Sequence, residues 1–218
     1  MDLAGLFFPR KCLLCRQLLS KEETDLCHNC RKHAPEFTKA KRNIPFVANW
    51  TAVWYYKDTV RHSLLRFKFY NFRGYAEVYG RMLAMRILSD MPKGYDMLAW
   101  VPTGFLRRLR RGYDHAQLLA IAAARELGTE PVAVLKKIRN TPPLSRFRDA
   151  SHRRATVLGA YRVIDPSAVA GKRILMIDDI ITTGATSSEC AKTLLTAGAK
   201  EVYFAAVAAA VHDHKGDM

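Results

Sequence analysis

Gly171-Lys172-Arg173-Ile174-Leu175-Met176-Ile177-Asp178-Asp179-Ile180-Ile181-Thr182-Thr183-Gly184-Ala185-Thr186 is the stretch that decides the fold. Ile174 to Ile177 is an uninterrupted apolar run, as in strands buried on both faces of a sheet. Two carboxylates end that run, and hydroxyls with a glycine then lead into the helical pattern of Ser187 to Ala197. Open α/β sheets place their ligands at such strand ends. A turn of small residues entering a helix aims backbone N–H groups and threonine hydroxyls at one point, which suits a phosphate dianion. Asp178 and Asp179 beside it are suited to accept hydrogen bonds from the vicinal hydroxyls of a ribose, or to hold Mg2+. The plainer reading is an ordinary strand, turn and helix in which the aspartates cap and the threonines favour a turn. It leaves unexplained why apolar strand, double acid and hydroxyl-glycine turn coincide in that order.

Outward from this stretch, strands and helices alternate. Thr51 to Tyr56, Met97 to Val101 and Val202 to Ala208 read as strands, Val132 to Leu135 as a short one, and Tyr161 to Ile164 leads back toward the phosphate strand. Arg61 to Arg73 interleaves cations with aromatics, a pattern able to stack bases; an amphipathic helix ending in an aromatic cluster is the preferred reading. Tyr75, Val78, Met82 and Met85 recur at helical spacing and mark a second helix. The order predicts an α/β domain with a mainly parallel sheet.

Two basic segments interrupt it. Arg107, Arg108, Arg110 and Arg111 follow the strand end at Val101-Pro102-Thr103-Gly104 and open a helix reaching Leu127. Guanidinium forks in that place suit a pyrophosphate, and a solvated basic turn is the alternative. Asn140 to Arg154, polar, proline-containing and ending in Arg153-Arg154, is too long for a mere connector. It reads either as a lid over an anionic ligand or as an exposed nucleic-acid arm. His212 to Lys215 is most simply a frayed tail.

A chain of 218 residues, 49% of them apolar, suffices for one sizeable core and a small appendage. The net charge of +15, from 35 basic and 20 acidic residues, favours polyanions, acidic membrane surfaces or phosphorylated small molecules. No stretch resembles a membrane span or a secretory signal, so a cytoplasmic location is expected. Cys12-x2-Cys15 and Cys27-x2-Cys30, eleven residues apart, have the spacing that brings four thiolates around one tetrahedral Zn2+. Four thiolates close the shell, which makes the site structural. His28 and His33 are left to the surface, and Cys190, alone in the helix after the phosphate turn, to the core. These limits divide the chain into a zinc-binding unit over residues 1–40 and a larger domain over 41–218.

Asp178 to Thr186 resembles the phosphoribosyl pyrophosphate (PRPP) loop of type I phosphoribosyltransferases. That resemblance implies a phosphoribosyltransferase-like α/β fold in which Asp178 and Asp179 bind the ribose hydroxyls and serve catalysis. Thr182, Thr183, Gly184, Ala185 and Thr186 would hold the 5'-phosphate, with Mg2+ accompanying PRPP. The cysteine knuckles, the helix around Leu64 to Lys68, Arg107 to Gly112 with Tyr113, Thr141-Pro142-Pro143, Ser145 to Arg154 and the PRPP loop occur in the order of the ComF family, associated with DNA uptake in natural competence. The chain departs from that family's pattern at Asp114-His115, where relatives carry Asn-Gln, and at Leu144, where they carry Gln. The resemblance implies a PRPP-binding factor that helps handle single-stranded transforming DNA, with competence or DNA-processing proteins as partners. The alternative is an active phosphoribosyltransferase acting on a nucleobase or amine. An identifiable acceptor pocket is lacking from the sequence, which favours the first.

Overall fold

A computed structural model describes residues 10–38, 43–70, 72–91, 94–105, 108–109, 112–141 and 150–210. Five parallel strands make the main sheet in the order β1 (Asn49–Tyr55), β7 (Glu201–Ala209), β6 (Arg173–Ile181), β2 (Met97–Trp100) and β3 (Pro131–Val132). Seven helices are described: α1 (His28–His33), α2 (Asp58–Phe69), α3 (Tyr75–Asp90), α4 (His115–Glu126), α5 (Ala150–Val157), α6 (Pro166–Val169) and α7 (Ala185–Thr196). β4 (Leu135–Lys137) and β5 (Tyr161–Val163) form a separate antiparallel pair.

The sheet separates two apolar cores. Leu175 and Ile177 of β6 join Leu64 and Phe67 of α2, Tyr79 and Leu83 of α3, and Leu119 and Ala123 of α4. Ile174 and Met176 join Cys190, Ala191 and Leu194 of α7 with Leu135, Tyr161 and Val163 of the β4–β5 pair. This alternation is what a strand covered on both faces requires, and it accounts for the unbroken apolar run. Cys190 is fully buried in the second core, as expected. Cys12, Leu13, Leu14, Leu26, Cys27 and Cys30 belong to the first core, so the amino-terminal unit shares its apolar interior with α2 and α3.

Several boundaries differ from expectation. β6 does not stop at the carboxylates: Asp178, Ile180 and Ile181 still pair with Ala206, Ala208 and Ala209 of β7. Backbone ladder bonds are indifferent to the side chain, so a paired neighbour carries the strand through two acids. The segment from Val132 to Leu135 is not one strand. Pro131 and Val132 pair with β2, whereas Leu135 pairs with Val163 in the smaller sheet. The helix after the first basic segment begins only at His115, because Asp114 caps it by accepting from the N–H groups of Ala116 and Gln117. α7 begins at Ala185, two residues ahead of Ser187. Ser151 to Arg154 lie in α5 instead of an irregular arm, whereas residues 142–149, including Leu144, fall outside the described residues. The 212–215 tail does so too.

α3 forms where the periodicity expects it. Ala76, Tyr79, Gly80, Leu83, Ala84 and Ile87 point inward, and Met85 is exposed. At Gly80 a glycine is required because α3 and α4 approach closely: a Cβ there would lie 2.4 Å from Ala122 Cβ and 2.7 Å from its carbonyl carbon. Among the described residues no helix is long and apolar enough to cross a membrane. The close approach predicts that Gly80→Ala destabilises the chain by about 1–3 kcal/mol through overpacking. Urea unfolding monitored by circular dichroism measures this, with the midpoint falling at unchanged m-value.

Candidate functional site

The sheet order places a reversal between β6 and β2. From β6 the chain proceeds to β7 on one side, and from β2 to β3 on the other. Such a switch point leaves a crevice outside the carboxyl ends of the strands. β2 ends at Trp100, opposite Ile177, so Asp178 to Ile181 run on past it and retain β7 alone as a strand partner. The double acid therefore lies where the sheet opens.

Around it, three segments converge. Gly184 follows β6 with φ +77° and precedes α7, a conformation that favours glycine. A Cβ there would also meet the side chain of Ile44 at 2.9–3.1 Å, so the turn rests on that buried isoleucine. Thr183 Oγ1 accepts from the N–H of Ala185 at 3.4 Å, and the first-turn N–H groups of α7 have no acceptors inside the helix. On the β2 side, Thr103 donates its N–H to Asp114 Oδ2 (2.7 Å) and its hydroxyl to Asp114 Oδ1 (3.2 Å), which ties the loop after β2 to the start of α4. From α2, Lys68 Nζ reaches Asp179 Oδ2 at 2.9 Å, with both side chains about four-fifths buried.

Electrostatics divide the two acids. Burial, and then the adjacent Asp179 charge, push the Asp178 carboxyl up to about 8, against the Asp179 N–H that it accepts at 2.8 Å and the Lys68 ammonium. Asp114 is also raised, by burial first, although four donors bind its carboxylate. A site with one reluctant and one paired carboxylate is able both to donate and to accept hydrogen bonds near neutral pH.

The cysteines converge as their spacing predicts. The four Sγ atoms of Cys12, Cys15, Cys27 and Cys30 lie within 4.8 Å of one another, and all four are free thiols. The two knuckles are built differently: Cys12 sits in a tight turn in which Arg16 N–H donates to Cys12 O, while Cys27 caps α1 and accepts from Cys30 N–H at 3.4 Å. Burial opposes ionisation of Cys12, and backbone N–H groups of Cys15, Cys27 and Leu14 outweigh it, bringing this thiol down to about 7. A closed set of four thiols, one of them ready to ionise, fits a structural Zn2+. His28 and His33 are exposed beside it.

The comparisons agree with this geometry. The phosphoribosyl transferase domain matches residues 114–217. Competence protein F of Haemophilus influenzae is 24% identical over 220 residues, which cover 90% of this chain and 95% of that protein. Competence protein ComFC of Streptococcus pneumoniae is 27% identical over 225 residues, covering 88% and 96% respectively. Over nearly its whole length the chain is similar to these competence proteins. Over a shorter span, DNA utilization protein YhgH of Escherichia coli O157:H7 is 32% identical across 108 residues, 49% of this chain and 46% of that protein. The fold is accordingly phosphoribosyltransferase-like, with a four-cysteine unit at the amino-terminal end.

At Asp114, one of the departures that the resemblance to the ComF family implies, the carboxylate has a structural use. Asp114 uses both carboxylate oxygens as acceptors, Oδ2 for the Thr103 N–H and Oδ1 for the Thr103 hydroxyl and the α4 cap. An asparagine has one acceptor oxygen and would turn its NH2 toward a donor. His115 Nε2 lies 3.3 Å from the carbonyl oxygen of Phe67 in α2.

The basic residues are less gathered. Arg108 is exposed, Arg154 is exposed and Arg153 half-buried on α5, whereas Arg107, Arg110 and Arg111 fall outside the described residues. Sequence reasoning missed Lys68, Asp114 and Ile44 as parts of the site. The helix-opening position of Asp114 was the available signal; for Lys68 it was a cation set between Phe67 and Phe69.

The raised Asp178 carboxyl has a stability consequence. Its folded-state value lies above the ordinary 3.8, so the folded chain keeps a proton that the unfolded chain releases, and stability falls as pH rises from about 4 to about 8. Asp178→Asn removes that loss. Thermal unfolding should show the variant matching the parent near pH 4 and exceeding it at pH 8 by about 1–3 kcal/mol, discounted for partial exposure, or some 2–4 °C per kcal/mol.

Proposed function

We propose that the chain is a competence-related, phosphoribosyltransferase-like factor that binds PRPP or another ribose 5-phosphate compound and helps handle single-stranded transforming DNA in the cytoplasm. The observation that carries the first half is the placement of Asp178, Asp179 and the Thr182–Gly184 turn together at the sheet's switch point, where β6 outruns β2. The 5'-phosphate would lie at the turn formed by Thr182, Thr183, Gly184, Ala185 and Thr186, and the ribose hydroxyls would meet Asp178 and Asp179. Thr103, held by Asp114 in the loop after β2, would orient the pyrophosphate end from that side. Mg2+ brought with PRPP would neutralise pyrophosphate charge, and Asp178 and Asp179 are the carboxylates here able to hold it. The relatives' names, competence protein and DNA utilization protein, support the second half.

Calorimetry with PRPP and Mg2+ tests the site. Asp178→Ala combined with Asp179→Ala should weaken binding by at least about 1–3 kcal/mol, since hydroxyls lose their charged acceptors; unchanged affinity would remove the assignment. Adding a panel of nucleobases and amines and assaying pyrophosphate separates a binding factor from an active transferase: release with one acceptor establishes the transferase.

The charge of +15 supports the polyanion half. Single-stranded DNA binding governed by phosphate contacts should lose affinity with a slope in log salt of about −0.7 per contact. Replacing Arg153 and Arg154 together by alanine should weaken binding and flatten that slope by roughly one contact each, read by fluorescence anisotropy across a salt series. Parental affinity and slope would take these arginines out of DNA binding.

A further inference from the structure

α2 touches the cysteine unit and the aspartate pair with neighbouring residues. Ser63 Oγ donates to the carbonyl of Leu13 at 2.6 Å, and Arg66 Nη2 donates to the carbonyls of Leu13 (3.1 Å) and Leu14 (2.5 Å). Leu13 and Leu14 are the two residues between Cys12 and Cys15, so their carbonyls belong to the turn that brackets the thiols. Two residues beyond Arg66, Lys68 makes its 2.9 Å contact with Asp179. Between them, the Phe67 carbonyl accepts from the Tyr113 hydroxyl at 3.4 Å and lies 3.3 Å from His115 Nε2.

We infer that Lys68 is a binding residue of the β6 site, and that the metal-held Cys12–Cys15 turn positions it through Ser63 and Arg66. Metal occupancy and affinity for a phosphorylated ribose are then linked. The inference rests on the reading of the site given above. The chemistry follows from charge: an ionised Asp179 would repel an anionic sugar phosphate, and the Lys68 ammonium beside it offsets that repulsion. Lys68 therefore favours phosphorylated over unphosphorylated ribose. Its place needs an outside anchor, because it lies in the last turn of α2, the part of a helix most given to fraying. Arg66 supplies one. A guanidinium clamped on two carbonyls of a metal-fixed turn holds the helix from one side, and the Phe67 carbonyl contacts hold it from the other.

Two measurements on the zinc-loaded 218-residue chain test this. Calorimetry with PRPP and Mg2+ on the parent, Lys68→Met, Arg66→Met and the double variant should show each single change weakening binding about tenfold, with the double no weaker than Lys68→Met. Losses that multiply to about a hundredfold would mean that Arg66 does not act through Lys68, and would overturn the positioning. Lys68→Arg, which keeps the charge, should recover most of the affinity. Amide hydrogen exchange on the ligand-free chain is the second readout. Chelating the metal, or Arg66→Met, should speed exchange in residues 64–69 and 178–181 and leave β7 unchanged. Unchanged exchange at 178–181, or equal acceleration across the whole sheet, would overturn the linkage. A parent that exchanges as expected and does not bind PRPP would refute the functional reading while leaving the mechanical link in place.

Discussion

Successive residues of a strand must face opposite sides of its sheet, and that alternation governs the site. Leu175 and Ile177 lie in the core under α2, α3 and α4, whereas Ile174 and Met176 lie in the core under α7. Two residues further on, the same alternation sends Asp179 to the α2 side, where Lys68 meets it, and Asp178 to the α7 side, where the buried Cys190 lies. A pair of adjacent acids is thus split between two environments. One is neutralised by an ion pair and the other by keeping its proton. Neither arrangement would be stable in the middle of the sheet, and both are accommodated where β2 has already ended.

Small residues elsewhere make this geometry possible. β7 turns Ala205 and Ala208 toward the first core, leaving room for the larger Trp54, Phe67 and Tyr79 that fill it. Gly80 lets α3 lie almost on the backbone of α4. α4 in turn carries His115 to the Phe67 carbonyl and its cap Asp114 to Thr103, so the close helix pair helps fix the loop after β2.

Much of this was legible in the sequence, for physical reasons that are local. An apolar run, a hydroxyl-glycine turn and two Cys-x2-Cys knuckles state their geometry within a few residues, and the structure has the run in β6, the turn at the start of α7 and the four thiols together. The parts that were not legible depend on contacts between distant segments. Lys68 meets Asp179, Ile44 supports Gly184 and Asp114 meets Thr103 only once the sheet has formed. The strand length of β6 was underestimated because acids argue against strands by propensity, and pairing with β7 overrides propensity.

The segment that leaves the cysteine unit has a second role, at the far edge of the sheet. Phe37 N–H donates to the Val53 carbonyl, Tyr55 N–H donates to the Pro35 carbonyl, and Glu36 bridges Trp54, so Pro35 to Phe37 lies along the open side of β1. Phe37 packs its ring 5.1 Å from Trp50 and 5.2 Å from Tyr55. An uncovered outer strand bearing tryptophan and tyrosine is a template for pairing with another chain. Pro35 to Phe37 therefore also covers this edge, taking up backbone groups of β1 that would otherwise be open to pairing.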